Sequence, residues 1–282
     1  MTAGTPACHE RGTRMSDFDD INARGLVLVG CGKMGGAMLK GWLARGLDPA
    51  SVTVIDPKLA PEWQDKGLNV NGDLPRDPAV VVLAVKPQMM GDALGRMPDL
   101  SGALVISVAA GTMIATFEKA FPGAPIVRVM PNTPAAIGKG ISAMIGNAAT
   151  TPAQLDLAET LMRAVGRVVR LEGEDQMDAV TGLSGSGPAY VFHLIEAMAQ
   201  AGEAQGLSPE LSLELARMTV AGAGALAIDA DEDPGVLRQN VTSPNGTTAA
   251  GLEVLMQDLP DLMTRTVAAA ADRGRALGRG EA

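Results

Sequence analysis

The feature that most constrains this chain is a regular alternation of short apolar runs with spacers long enough to form helices. The runs fall at residues 26–29, 52–55, 80–85, 104–108 and 126–130, and each is continuous, with almost no polar interruption. A continuous apolar strand needs cover on both faces, and a helix-length spacer returns the chain so that successive strands run parallel. The pattern therefore predicts an α/β fold, a doubly wound, mostly parallel sheet with helices on both sides. Residues 140–145 are expected to add an edge strand and residues 168–171 a further one. Between them Thr151-Pro152-Ala153-Gln154 starts a helix, with threonine as cap, proline in the first turn and glutamine reaching back.

Beyond residue 172 the strand runs stop and helical spacing takes over. Val191, Leu194, Ile195 and Met198 form one apolar face. Ser208-Pro209 opens a long helix with Leu211, Leu213, Leu215, Met218, Val220 and Leu226, too apolar all round for a surface position. Its segment Ala221-Gly222-Ala223-Gly224-Ala225 would weaken an isolated helix, since each glycine costs about 1 kcal/mol relative to alanine. Close approach of another helix is expected to compensate, and an obligate dimer would bury the excess apolar surface.

Composition narrows the function classes. Acidic residues outnumber basic ones, 32 to 23, and aromatics are few, so neither a basic stripe nor a stacking platform for nucleic acid is expected. Cys8 lies in a polar tail and Cys31 in a glycine-rich turn, which argues against a structural disulfide and for a reducing, cytoplasmic setting. The first 22 residues contain no apolar stretch of signal-peptide length. No later segment offers the roughly 20 uninterrupted apolar residues of a membrane span, so no membrane partner is expected. Residues 1–22, polar and aperiodic, read as a disordered tail in which Met15 is an alternative start.

Gly30-Cys31-Gly32-Lys33-Met34-Gly35 fits the G-x-G-x-x-G pattern, and it stands after a strand and before a helix, expected over 34–45. The first glycine allows the tight turn, the second lets backbone approach a pyrophosphate, and the third lets helix and strand pack closely. The anion would rest on exposed N–H groups at the helix N-terminus. This defines a Rossmann-type dinucleotide domain over residues 23–172, followed by an all-α dimerisation and substrate-binding domain over 173–282. Asp56, at the end of the second strand, can accept hydrogen bonds from a ribose hydroxyl and so favours NAD over NADP, although Lys58 beside it could pair with a 2′-phosphate.

Ala84-Val85-Lys86-Pro87-Gln88 places Lys86 at the carboxyl edge of the sheet, where such folds bind ligands; a solvated cation and a cofactor contact are equally consistent with the spacing. The same edge carries Ala109-Ala110-Gly111-Thr112 and Met130-Pro131-Asn132-Thr133-Pro134, small enough to leave room for a nicotinamide ring. Leu183-Ser184-Gly185-Ser186-Gly187-Pro188-Ala189-Tyr190 reads from spacing alone as a flexible loop leading into a helix. Val241-Thr242-Ser243-Pro244-Asn245-Gly246-Thr247-Thr248 reads as a turn and cap whose N–H groups and hydroxyls could receive a carboxylate. His193 is expected to be a packed or surface residue, His9 lies in the tail, and the acidic run at 229–233 is a solvated connection. No metal-ligand spacing and no Ser-His-Asp set is present, so no metal is expected.

Taken in order, the glycine turn, the motifs at 84–88, 130–134, 183–190 and 241–248 resemble the signature of the pyrroline-5-carboxylate reductase family, over about residues 26–277. The last two motifs are the specific ones, because related dehydrogenases share the nucleotide-binding half but not these loops. The resemblance implies reduction of the C=N bond of 1-pyrroline-5-carboxylate to L-proline by NADPH or NADH. It also implies a C-terminal domain interleaved with that of a second copy, and in many members a ring of dimers. It assigns Gly30, Gly32, Met34 and Gly35 to the pyrophosphate, Asn71, Ala84 and Lys86 to the cofactor, and Ala109 and Ala110 to the nicotinamide border. Ser243, Gly246, Thr247 and Thr248, supplied across the dimer interface, would hold the substrate carboxylate and ring nitrogen, with Thr248 bonded to the nitrogen. Many members prefer NADPH, against the indication from Asp56, and Asn245 stands where the family often has glycine. The competing readings are another imine or β-hydroxyacid reductase on the same scaffold and a nucleotide-binding sensor without turnover.

Overall fold

The computed structural model describes residues 18–98, 100, 102–279 and 281, in two compact units that divide between Glu174 and Asp175. The first unit runs α1 (Asp19–Arg24), β1 (Leu26–Val29), α2 (Lys33–Ala44), β2 (Val52–Ile55), β3 (Asn69–Val70), β4 (Val80–Leu83), α3 (Met90–Leu94), β5 (Leu104–Ser107), α4 (Ile114–Ala120), β6 (Ile126–Met130), β7 (Gly140–Gly146), α5 (Pro152–Arg163) and β8 (Gly166–Arg170). The strands form one sheet in the order β3-β2-β1-β4-β5-β6-β7-β8. Only the β6–β7 pairing is antiparallel.

Each central strand faces two cores, as the period of two demands. Leu26 and Leu28 point with Met38, Leu39 and Trp42 of α2 and Leu161 of α5 into one core. Val27 and Val29 point into the other, with Phe117 of α4, Phe121 and Ile126. Trp42 is fully buried, and its indole N–H donates to the Leu161 carbonyl at 2.9 Å, so its polar edge is satisfied. The start of α5 carries the expected capping box between Thr151 and Gln154.

Two expectations are corrected, and one edge strand is added. The expected tail does not reach residue 22: Asp19–Arg24 is helical and Ile21 is fully buried, because the apolar side chain has the first core to enter. Met15, Cys8 and His9 lie outside the described residues. The 140–146 strand is not an edge: α5 carries the chain back parallel beside it, and β8 takes the edge. On the opposite side β3, only two residues long and exposed, forms an edge that the sequence pattern did not show.

The second unit consists of α6 (Met177–Val180), a π-helical turn at Thr181–Gly185, α7 (Gly187–Ala204), α8 (Pro209–Asp229), α9 (Pro234–Asn240) and α10 (Thr247–Gly278). The 183–190 motif is thus helical, and not a flexible loop. Its π-turn is held by the Tyr190 hydroxyl, which donates to the Gly182 carbonyl at 3.0 Å. Gly182 also permits close contact with α10, since a Cβ there would stand 2.7 Å from the Val267 carbonyl oxygen. What this unit buries is mostly small: Ala199, Ser212, Ala216 and Ala271 beside Met177.

Its large apolar side chains are instead exposed, among them Phe192, Leu215, Met218 and Ile228. Among the described residues no close approach is made at Gly222 and Gly224, since a Cβ at either would meet no atom within 4 Å beyond its own helix. By length and average hydropathy α8 is the one helix among the described residues that could cross a membrane, although it is not an uninterrupted apolar run. Glu210, Glu214 and Arg217 interrupt the run but do not lower its average enough to exclude it.

Candidate functional site

The carboxyl edge of the first unit's sheet is where the expected cofactor residues converge. Chain order reverses at β1, which lies between β2 and β4, and such a switch point opens a crevice above the strand ends. The glycine turn sits there. Gly30 has φ +92°, a conformation that side chains disfavour, and a Cβ on Gly35 would lie 2.1 Å from the Gly30 carbonyl oxygen. By contrast a Cβ on Gly32 would meet nothing within 4 Å and would project into open space. Two glycines thus make the turn possible and the third keeps its outer surface clear, which is the fit a pyrophosphate requires. Gly32 is also the N-cap of α2 and provides no side-chain cap, so the first N–H groups of the helix face that space.

Asp56 does something the sequence did not show. One carboxylate oxygen accepts from the Cys31 N–H at 2.7 Å, and the other from the Lys58 N–H at 2.8 Å. It ties the glycine turn to the end of β2. Asn71, with φ +50°, sits beside it and pairs with the Asp56 backbone in both directions, accepting from its N–H and donating to its carbonyl, each at 2.9 Å. The Cys31 thiol is buried between these groups, and burial, aided by the Asp56 and Glu62 carboxylates, pushes its pKa up to about 12.

Lys86 is exposed just after β4, and Ala84 lies against Gly30, whose Cβ would be 2.8 Å from the Ala84 carbonyl oxygen. Ala109 is buried and Ala110 half-buried beyond the end of β5. The segment after them is fixed by a residue the sequence reading missed. Glu174 accepts at the same oxygen from the Ile114 N–H, at 2.8 Å, and from the buried Arg128 guanidinium on β6, at 2.7 Å. The first turn of α4 is thereby anchored to the sheet. Asn132 of the 130–134 motif accepts from the Ile141 N–H at 2.9 Å and fixes the step from β6 to β7.

A cleft of about 420 Å³ opens on the β2 side of the glycine turn, lined by Cys31, Gly32 and the α2 face on one side and by Lys58, Glu62 and Trp63 on the other. Lys33 and Lys40 of α2 both line it.

In the second unit, residues 243–246 form a turn closed by the Gly246 N–H donating to the Ser243 carbonyl at 3.1 Å. Pro244 and left-handed Asn245, φ +58°, occupy the two central positions, the combination a type II turn favours. Asparagine therefore serves where glycine would. Gly246 then caps α10 without a side chain, and Ser243, Thr247 and Thr248 are exposed around that bare N-terminus. His193 is an exposed residue beside Glu196, 3.1 Å away. Among the described residues no group of His, Cys, Asp and Glu is arranged to hold a metal.

A doubly wound sheet with a glycine turn open to a diphosphate, in a chain that continues into a helical unit, defines the class of nicotinamide-dependent oxidoreductases. Residues 26–111 match the family model described as NADP oxidoreductase, coenzyme F420-dependent, and residues 174–277 match that for pyrroline-5-carboxylate reductase dimerisation. The chain belongs to the pyrroline-5-carboxylate reductase family. It is 40% identical to the pyrroline-5-carboxylate reductase of Pseudomonas aeruginosa, with 81% of this chain and 87% of that protein aligned. To the enzyme of Glycine max it is 38% identical, over 89% and 95%. Among solved structures, the Coxiella burnetii enzyme superposes with TM-score 0.81 at 35% identity, covering 90% and 98% of the two chains. The Plasmodium falciparum enzyme, with NADP bound, gives 0.80 at 31%, covering 91% and 99%. A ketol-acid reductoisomerase at 14% identity and TM-score 0.59 shares the fold alone.

Proposed function

We propose that this chain reduces 1-pyrroline-5-carboxylate to L-proline with NADPH or NADH, the last step of proline biosynthesis, as a cytoplasmic homodimer or a ring of dimers. One observation carries the reading: the likeness to enzymes of this name runs through both units, the helical one included. The nicotinamide, when bound, supplies the hydride to C5 of the C=N bond. The turn Gly30, Gly32, Met34 and Gly35 holds the pyrophosphate, Lys86 and Ala84 flank it, and Ala109 and Ala110 border the nicotinamide. Asn71 and Asp56 support the cofactor by holding the β2 end and the turn in place.

The bare N-terminus of α10 suits an anion, so Ser243, Gly246, Thr247 and Thr248 receive the substrate carboxylate on N–H and hydroxyl groups. The Thr248 hydroxyl holds the ring nitrogen, which ends protonated. Threonine is far too weak an acid to ionise, so it orients the nitrogen or relays a proton from water. Little acid–base machinery is required, because a protonated imine is already a strong electrophile and placement supplies most of the effect.

The test is oxidation of NADPH and of NADH with pyrroline-5-carboxylate supplied and omitted, with proline identified as product. Absence of substrate-dependent oxidation by a folded protein that binds either cofactor would overturn the assignment. A Thr248→Ala variant is expected to lose about a hundredfold in kcat/KM, and Ser243→Ala to raise KM more than it lowers kcat.

A further inference from the structure

We propose that Glu174 and Arg128 are positioning residues for the reduction: they set where the segment 109–113, the border of the nicotinamide, stands on the sheet, and act only through that segment. The inference rests on the nicotinamide-dependent reading above and adds two residues outside its cofactor and substrate sets. The segment leaves the sheet after Ser107, the last residue of β5, and re-enters regular structure at Ile114, the first residue of α4. Its near end is fixed locally. The Val108 N–H donates to the Leu83 carbonyl at 3.0 Å, and the Ala109 N–H to the oxygen of the fully buried Ser107 hydroxyl at 3.3 Å. The chain then turns at Ala110 and Gly111, where Gly111 takes φ +71°.

The far end is held from a distance. Met113 is the N-cap of α4 and supplies no side-chain cap, so the first helical N–H, that of Ile114, finds its acceptor 60 residues away in the Glu174 carboxylate. A cap borrowed from so far along the chain is only as fixed as its own support. That support is Arg128, whose guanidinium donates to the same Glu174 oxygen at 2.7 Å and whose side chain is 5% exposed. Arg128 pairs with Ser107 in the register of β5 and β6, so both ends of the segment are referred to one level of the sheet. A serine or aspartate at position 113 would satisfy the start of the helix and move with it. A carboxylate held on β6 satisfies it and also pins it. Buried ion pairs add little net stability compared with apolar residues of similar volume, so a role in holding geometry accounts better for this one. Hydride transfer needs such fixing, since a displacement of about 1 Å at the reacting centre can cost about a hundredfold in rate.

The test uses the full-length protein and the double variant Glu174→Gln/Arg128→Met, which keeps an acceptor for Ile114, leaves no unpaired charge and removes the anchor. Amide hydrogen exchange is measured first, without cofactor. Exchange over residues 109–114 should quicken by about tenfold, with β1 and β4 unchanged. The single-turnover rate of hydride transfer from NADPH or NADH to pyrroline-5-carboxylate should fall by at least about tenfold, while the Kd of the cofactor and the KM of the substrate stay within about twofold. Glu174→Gln alone, which replaces the double variant should that fail to fold, is expected to move both readouts in the same direction by less. Arg128→Lys keeps a cation for Glu174 and should stay close to the wild type. Unchanged exchange in the segment would overturn the proposal. So would a wild-type hydride rate in a variant whose segment has loosened, because the pair would then be structural only. A wild type that binds cofactor and does not reduce pyrroline-5-carboxylate would sink the reaction assignment itself, and the positioning role with it.

Discussion

The two units of this protein manage their apolar residues in opposite ways. The sheet unit encloses what it has: strands such as β1 and β4 are buried along their whole length, with helices on both faces. The helical unit buries alanines and a serine and leaves Leu215, Met218, Phe192 and Ile228 exposed. The first unit encloses its apolar side chains within itself, whereas the second leaves an apolar face open, which fits its match to a dimerisation family.

The largest effect should come from attacking that exposed face. Replacing Leu215 and Met218 together by Asp is expected to weaken self-association by at least about a hundredfold, since desolvated charges cost several kcal/mol at an apolar interface. Sedimentation would show smaller species, and activity should fall with them, while amide protection in β1 and β4 persists. An unchanged assembly would mean that the face is covered in some other way. Arg128→Ala is the matching attack on the sheet unit. It leaves Glu174 with only the Ile114 N–H and is expected to cost about 3 kcal/mol. This loss should be independent of protein concentration, whereas that of the Leu215/Met218 variant should lessen as concentration rises.

A smaller effect sharpens the comparison through pH. Cys31 has a folded pKa near 12 against an unfolded value of about 8.5. Its stabilising contribution is complete below the unfolded value and is lost as pH rises toward the folded one. Denaturation of the sheet unit should therefore ease above about pH 8.5, and a Cys31→Ala variant should lose that part of the slope. The smallest effect belongs to Ser212, whose buried hydroxyl has no hydrogen-bond partner among the described residues. Ser212→Ala should be neutral or stabilising by up to about 1 kcal/mol in denaturant titrations. A clear destabilisation would show that the hydroxyl is satisfied in the assembly.

What could be read from sequence followed the length and continuity of each signal. The central strands are uninterrupted, and the glycine turn has steric reasons that survive in a string of letters. The excess of apolar residues on α8 was likewise visible, although the glycines at 222 and 224 turned out to face no helix of their own chain. Strand β3 was not legible, because two exposed residues carry no period and its neighbour Asn71 is defined by a left-handed turn. Asp56 stood at the expected position, but the direction of its carboxylate depends on Cys31, which is 25 residues away. Of the lysines that line the cleft, Lys58 stood out beside Asp56, whereas Lys33 and Lys40 are split off on α2, where they look like ordinary solvated charges.

The exposed face of the helical unit also has a genetic consequence. A chain disabled in its glycine turn, for instance by Gly35→Ala, would keep α8 intact and could still join with functional copies. Produced alongside the wild type, such a chain should draw active subunits into mixed assemblies and act as a dominant inhibitor. The same lesion combined with the Leu215 and Met218 charges should be recessive.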